Sequence, residues 1–294
     1  ILFLTAFIVL SIAVTLMIFG VAERVTGNAR AFLGSRTGML ITSTASLFLA
    51  TTLGWVFGKV LEDLPLKALG WVFNRTWLKD VAIGMILGVL TISIAVLLAM
   101  PSGGIGLVFN SISSPNAIIW SFAASFLVFF VAAAFEEVLF RGYILQTLMR
   151  GNLTLLGILV TSLPFAFAHL GNPGANLISS VNTGLAGIWF GVAFLKTRSL
   201  WLAFGLHLSW NWFQGAFFGI SVSGLTHIAP DPLFKTVDAG PDWLTGGAYG
   251  VEAGLVCTVS LLLSMAVIWF APFLKPTDEM VELTSREIPQ NGRA

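Results

Sequence analysis

Charge is what this sequence has least of. Of 294 residues only 10% are Asp, Glu, Lys or Arg, while 56% are hydrophobic and 13% aromatic. Soluble domains carry about 25% charged residues. Too little polar surface is present to coat a water-soluble globule, so the composition points to a polytopic membrane protein. Cysteine is almost as scarce. Cys257 stands alone in an apolar run, which excludes an intrachain disulfide. A net charge of +1 with no basic tract gives nucleic acid nothing to bind. Internal repeats and low-complexity tracts are absent as well, and histidine occurs three times, at 169, 207 and 227.

What remains is long apolar runs. A helix needs about 20 apolar residues to cross the hydrocarbon, and only helices or closed barrels satisfy their backbone there. These runs are too long and unbroken for barrel strands. They predict an all-α fold of about eight transmembrane helices, at 1–22, 38–58, 80–100, 117–148, 153–171, 177–195, 200–219 and 251–274. Together they form one membrane-embedded domain over 1–274, with a motif core at 117–219 and a solvated, mobile tail at 275–294. The opening run "ILFLTAFIVLSIAVTLMIFGVA" lacks Met and a basic n-region and is too long for an h-region. It reads as a first span of a trimmed chain and not as a cleaved signal.

Loop charges set the expected orientation. Arg24, Arg30, Arg36 and Lys235 fall on one side, four in all. Lys59, Lys67, Arg75, Lys79, Arg150, Lys196, Arg198, Lys275, Arg286 and Arg293 fall on the other, ten in all. Ten against four places both termini in the cytoplasm, in a multi-pass cell-membrane protein. Residues 65–80, with Trp71, Trp77 and three basic side chains, read as an interfacial helix or as a loop with aromatic anchors. Residues 220–250, rich in Gly, Pro and Asp, read as an ordered extracytoplasmic loop.

Three polar clusters interrupt the oil. In "FEEVLFRG" Glu137 and Arg141 are four apart, acid first, the favourable order for an intrahelical pair. Successive helical residues diverge by about 100°, so Glu136 points elsewhere and needs another partner. "FAFAHL" puts Phe165 and His169 on one face, with Pro164 before them. "HLSWNW" does the same for His207 and Asn211. Ionisable residues inside spans are expensive and by default mark function. The bland alternatives are a Glu–Arg lock between helices and histidines that merely pack. Depth argues against them, because Glu136 lies sixteen positions before residue 152, at the turn between spans, and His169 seventeen after it. Antiparallel helices bring both to nearly one height. A 32-residue fourth span, about 48 Å long, overshoots the membrane, and its projecting end lets His207 reach that depth in the cytoplasmic half. His227 falls in the outer loop and reads as bland.

A carboxylate and a histidine can hold a water and draw off its proton. A second histidine with an amide four residues on supplies donors to an oxyanion. Together these describe amide hydrolysis. Glu136, His169 and His207 could instead surround zinc, although the HExxH helix signature is missing. Asn211 is a poor zinc ligand and a good oxyanion donor, which favours the metal-free version. Other classes stay open: a proton-coupled transporter using Glu136 and the histidines as a relay, for which no paired repeat is found, or a non-catalytic scaffold such as an immunity factor.

"EEVLFRG" (136–142), "FAFAH" (165–169) and "HLSWN" (207–211) resemble, in order, the EExxxR, FxxxH and HxxxN motifs of the CPBP family, the CAAX proteases and bacteriocin-processing enzymes with their Rce1-like endopeptidases. "GPDWLTGGAYGVEAG" (240–254) also resembles prokaryotic members. The resemblance implies an eight-span intramembrane endopeptidase acting on a membrane-associated peptide or protein. Glu136 and His169 would activate water, His207 and Asn211 would form the oxyanion hole, and Glu137, Arg141 and Phe165 would support the site. Family members are read both as metalloproteases and as glutamate-dependent enzymes, and many have no prenylated substrate.

Overall fold

The computed structural model describes residues 2–101 and 103–285, so residue 1 of the first span and 286–294 of the tail lie outside the described residues. Each of the eight expected spans coincides with helix. The long ones are α1 (Leu2–Thr26), α3 (Arg36–Glu62), α4 (Trp77–Ala99), α5 (Pro115–Glu137) and α8 (Leu177–Thr197), with the short α2 (Ala29–Leu33) between the first two. Helix α5 continues through a π turn, Val138–Ile144, into α6 (Leu145–Arg150). These five helical stretches are long and apolar enough to cross a membrane, and the protein is a multi-pass all-α membrane protein. Local signals set the starts. Ser35 and Ser114 cap α3 and α5, Pro115 opens α5, and Asn176 with Ser179 forms a capping box on α8.

Three segments are shorter than expected. Helix α7 (Thr154–Ala168) has 15 residues and α11 (Leu255–Phe270) has 16. At 1.5 Å per residue neither reaches a hydrocarbon core of about 30 Å. Helix α9 (Leu200–Trp212) ends after 13 residues in a second π turn, Phe213–Phe217. The loops after α7, after that π turn and before α11 pack on one another. A Cβ on Gly224 would lie 2.0 Å from the Pro173 carbonyl oxygen, and one on Gly250 2.0 Å from that of Ser221.

Helix α9 is the axis of the bundle, buried without interruption from Leu200 to Trp210. Its most extensive contact is with α4, where small residues let the backbones touch. A Cβ on Gly84 would meet the Leu202 carbonyl oxygen at 2.4 Å, and one on Gly205 the Val81 carbonyl oxygen at 2.5 Å. With no hydrophobic drive between helices in lipid, close backbone packing of this kind is what holds them together.

Two expectations are corrected. Residues 220–250 are not all loop: β1 (Ile105–Phe109) pairs antiparallel there with β2 (Phe234–Asp238), Ile105 opposite Asp238 and Phe109 opposite Phe234, followed by the one-turn α10 (Asp242–Thr245). The tail is not solvated throughout, because α12 (Asp278–Ser285) buries Met280 and Leu283 against Leu64, Ala68 and Val72, and Glu279 pairs with Lys67 at 3.0 Å. An amphipathic turn of apolar residues was hidden there among charges. In the 65–80 segment Leu66–Leu69 forms one 3-10 turn and residues 77–80 are the first turn of α4, while Trp71 and Trp77 pack on Trp201.

Gly205→Leu forces a side chain into the α4 backbone. Overpacking costs about 1–3 kcal/mol, so the thermal midpoint in detergent falls. Leu97→Ala, on an exposed lipid-facing position, leaves it nearly unchanged. Equal midpoints for the two variants would refute the backbone contact.

Candidate active site

The site begins with a charge that cannot be left alone. Glu137, the last residue of α5, places Oε1 3.1 Å from Arg141 Nη1, and both side chains are fully buried. Arg141 sits in the π turn, a local widening of the helix that often accompanies functional sites. Its Nη2 donates to the Gly187 carbonyl of α8 at 2.9 Å. Its guanidinium lies 5.1 Å from the ring centres of both Phe165 and Phe190, within cation–π reach.

Spacing alone assigns Glu137 to Arg141 and gives Glu136 another partner, and the structure adds that both acids meet one histidine. Glu137 Oε1 also lies 2.9 Å from His207 Nδ1, while Glu136 Oε2 faces His207 Nε2 at 3.5 Å. Divergence on the helix does not prevent this, because an imidazole offers a nitrogen on each side and can sit between two diverging acids. An ionised carboxylate only accepts, so Nδ1 of His207 carries its proton toward Glu137 and Nε2 is the nitrogen turned to Glu136. Phe190 stacks on the ring at 4.5 Å and 17°, which holds its plane.

His169 closes α7 as its C-cap residue. Its Nδ1 lies 2.8 Å from the Phe165 carbonyl oxygen. A carbonyl only accepts, so Nδ1 bears the hydrogen and Nε2 is left with its lone pair. Glu136, Phe165, His169, His207 and Asn211 all line one cavity of about 60 Å³. That volume holds a few waters at roughly 10–15 Å³ each. Glu137 and Arg141 lie fully buried beneath it. Glu136 is the more open acid, its side chain 22% exposed, and its Oε2 makes no hydrogen bond within the protein. His227 lies elsewhere, against Met39 Sδ.

The cavity also has residues that motif reading missed. Phe190 and Asn182 come from α8, Ser223 and Glu252 from the packed loops, and Cys257 from α11. Ser223 donates its backbone N–H and, at 3.1 Å, its hydroxyl to the same oxygen of Glu252. The Phe residues carry no signal that separates them from other core aromatics. Glu252 does have one, as a lone acid in a loop dense with glycine.

Zinc fits poorly. Among the described residues no three His, Cys, Asp or Glu side chains are gathered closely enough to hold a metal ion. The set Glu136, His169 and His207 therefore shares a cavity without forming a ligand sphere.

Residues 118–213, which contain all three motifs, match the family described as Rce1-like, type II CAAX prenyl endopeptidase. The chain is also 27% identical over 161 residues to "Uncharacterized protein YyaK" of Bacillus subtilis (strain 168), covering 53% of this chain and 50% of that protein. The chain thus spans about half the length of the curated relative it matches. The matched residues 118–213 fall on the helices from α5 through α9, which carry Glu136, His169 and His207.

Removing one partner of a buried ion pair strands the other, at a cost of about 3–5 kcal/mol. Arg141→Met is therefore expected to unfold at a markedly lower temperature. Glu137→Gln combined with Arg141→Met should recover part of the loss, since no lone charge remains. A double variant less stable than Arg141→Met would contradict the charge-stranding account.

Proposed function

We propose that this protein is an intramembrane endopeptidase that hydrolyses a peptide bond of a membrane-associated substrate without a metal ion. One observation carries the reading: Glu136, His169, His207 and Asn211 line a single water-sized polar cavity inside an apolar helical bundle. A structural lock would need the Glu137–Arg141 pair alone. It would not need an open carboxylate and two histidines on the same cavity wall.

The chemistry follows from the atoms available. A water between Glu136 and His169 gives up a proton, which the Glu136 carboxylate or His169 Nε2 accepts. The resulting hydroxide adds to the scissile carbonyl carbon, and the carbonyl oxygen becomes an oxyanion. The Asn211 amide and His207 Nε2 face that oxygen as donors. Because Nδ1 of His207 already holds a proton for Glu137, donation from Nε2 requires the doubly protonated ring. The Glu137 and Glu136 carboxylates flank the ring at 2.9 and 3.5 Å. Collapse of the intermediate breaks the C–N bond, and the stored proton passes to the leaving amine. The apolar surroundings strengthen each of these interactions relative to water.

Glu136→Gln keeps the shape and removes the base. It should cut kcat by about 10²–10⁴-fold in a fluorogenic peptide assay in proteoliposomes, with an unchanged thermal midpoint. Full activity in that variant would sink the mechanism. Stoichiometric zinc that leaves together with activity in His207→Ala would replace the metal-free version with a metal-dependent one.

Both termini face the cytoplasm in this proposal, supported by the ten-to-four split of loop Lys and Arg. Single cysteines at Arg30 and at Lys67, in a Cys257→Ser background, test it by labelling with an impermeant maleimide in intact cells. Reaction at position 30 and protection at position 67 is the expected pattern, and the reverse would invert the topology.

A further inference from the structure

The turn between α1 and α3 gathers cations that the protein itself does not answer. Residues 23–36 hold Arg24, Arg30 and Arg36 against one acid, Glu23. That acid is already committed, its Oε2 accepting the Ala29 backbone N–H at 2.8 Å. Among the described residues no salt bridge reaches any of the three arginines. Arg36, the first residue of α3, also has its Nη1 buried without a hydrogen-bond partner. A buried donor left unpaired is costly, and an acceptor from outside the chain would remove the cost. In the loop count these are three of the four basic side chains on their side of the membrane, with Lys235 the fourth.

The same three helices enclose an apolar groove of about 270 Å³. Met17, Ile18, Val21 and Val25 of α1 line it with Phe32 of α2 and Ile41 of α3, and it shares no residue with the catalytic cavity. Met17, Val21, Val25 and Ile41 are exposed. Met17 and Val21 lie seven and three positions before Arg24, on its own helix face. From Met17 to Val25 the groove follows about 12 Å of helix. One leaflet contributes roughly 15 Å to the hydrocarbon core, so the groove runs most of that depth. The arginines stand at its turn end, and the turn is firmly built. Asn28 Oδ1 accepts from the Ala31 N–H at 3.0 Å and Ser35 Oγ from the Gly38 N–H at 3.1 Å. A Cβ on Gly38 would lie 2.0 Å from the Phe32 carbonyl oxygen, so α2 rests on the first turn of α3.

An apolar channel that ends in unanswered cations matches an amphiphile with an anionic head. We infer that this groove binds one anionic phospholipid, an acyl chain along Met17–Val25 and the phosphate among Arg24, Arg30 and Arg36. Arginine suits the role because its planar fork meets phosphate oxygens two at a time. A zwitterionic lipid offers the same chain and phosphate but brings its own cation, which the arginines repel. The inference goes beyond the peptidase reading and stands or falls without it.

The test uses the full chain purified in a non-ionic detergent. Dioleoyl phosphatidylglycerol, dioleoyl phosphatidylcholine and inorganic phosphate are added separately, and bound lipid is counted by native mass spectrometry beside the thermal midpoint. One phosphatidylglycerol should be retained and should raise the midpoint. Phosphatidylcholine should be held at least tenfold more weakly, and phosphate should do nothing. A basic residue near a membrane surface contributes about fivefold in affinity for anionic lipid. Arg24→Gln, Arg30→Gln and Arg36→Gln combined should therefore weaken retention on the order of a hundredfold, and Lys235→Gln should leave it unchanged. If the triple variant does not fold, Arg36→Gln and Val21→Trp decide. The first should weaken binding about fivefold, and the second, which puts an indole into the groove and keeps every arginine, should displace the lipid. Equal retention of the two lipids overturns the inference, as does undiminished phosphatidylglycerol binding in the arginine variants. Stabilisation by phosphate alone would leave an anion site without a lipid. A dimer that carries no lipid and is lost in Val21→Trp would give the groove to a second copy of the chain.

Discussion

The structure is organised around one buried charge pair. Glu137 and Arg141 are both fully withdrawn from solvent, in surroundings where an isolated charge costs several kcal/mol. Arg141 is answered by the carboxylate, by the Gly187 carbonyl, and by the faces of Phe165 and Phe190, while its Nε makes no hydrogen bond within the protein. Those partners come from α5, α7 and α8, and the carboxylate's second partner, His207, comes from α9. Four helices are thereby keyed to one pair. The close approach of α7 and α8 has the same origin, since a Cβ on Gly187 would lie 2.8 Å from Ser162 Cβ. A side chain there would push away the carbonyl that Arg141 needs. Buried ion pairs are weak contributors to stability and better at selecting one arrangement over others. Here the arrangement selected is the position of the His207 ring.

That ring connects the support to the chemistry. Its Nδ1 is tied to Glu137 and its plane is held by Phe190, so Nε2 has one direction available, toward Glu136 and the cavity. His169 is tied in the same manner by a different acceptor, the Phe165 carbonyl. Phe165 therefore serves twice, through its backbone for one histidine and through its ring for the guanidinium. Each imidazole shows the cavity a single nitrogen. Second partners of this kind fix tautomer and orientation, as they do around metal-bound histidines.

Much of this was legible in the sequence, and for a physical reason. An ionisable residue in an apolar run is costly, so Glu136, Glu137, Arg141, His169 and His207 stood out against their surroundings. Equal counting from the turn at 151–152 placed Glu136 and His169 at one depth, and both line the cavity. What stayed hidden lacked such contrast. Glu252 sits in a loop where an acid is ordinary, and only the folding of that loop onto the cavity gives it meaning. Phe190 is one of 25 phenylalanines. The π turns leave no trace in hydropathy, yet one of them carries Arg141. Helix α12 was lost because its two buried apolar side chains, Met280 and Leu283, are spaced among charges that read as tail.

The short helices have their cause in the same site. A polar cavity at membrane depth requires backbone groups near water and donors aimed inward, which a full-length apolar helix cannot offer because its amides are used internally. Helix α7 stops at the residue whose imidazole is needed, and its last carbonyls become hydrogen-bond partners of that residue. Helix α11 begins only after Glu252, so the loop before it can turn a carboxylate into the cavity while Asn182 satisfies its carbonyls. Irregular backbone is tolerated in the hydrocarbon region only where protein buries it or where it lines a cavity, and Ser223 and Glu252 of these loops line the cavity. The places where the span pattern fails are thus the places where the polar site is assembled, and the deficit in helix length follows from the requirement for polar groups at that depth.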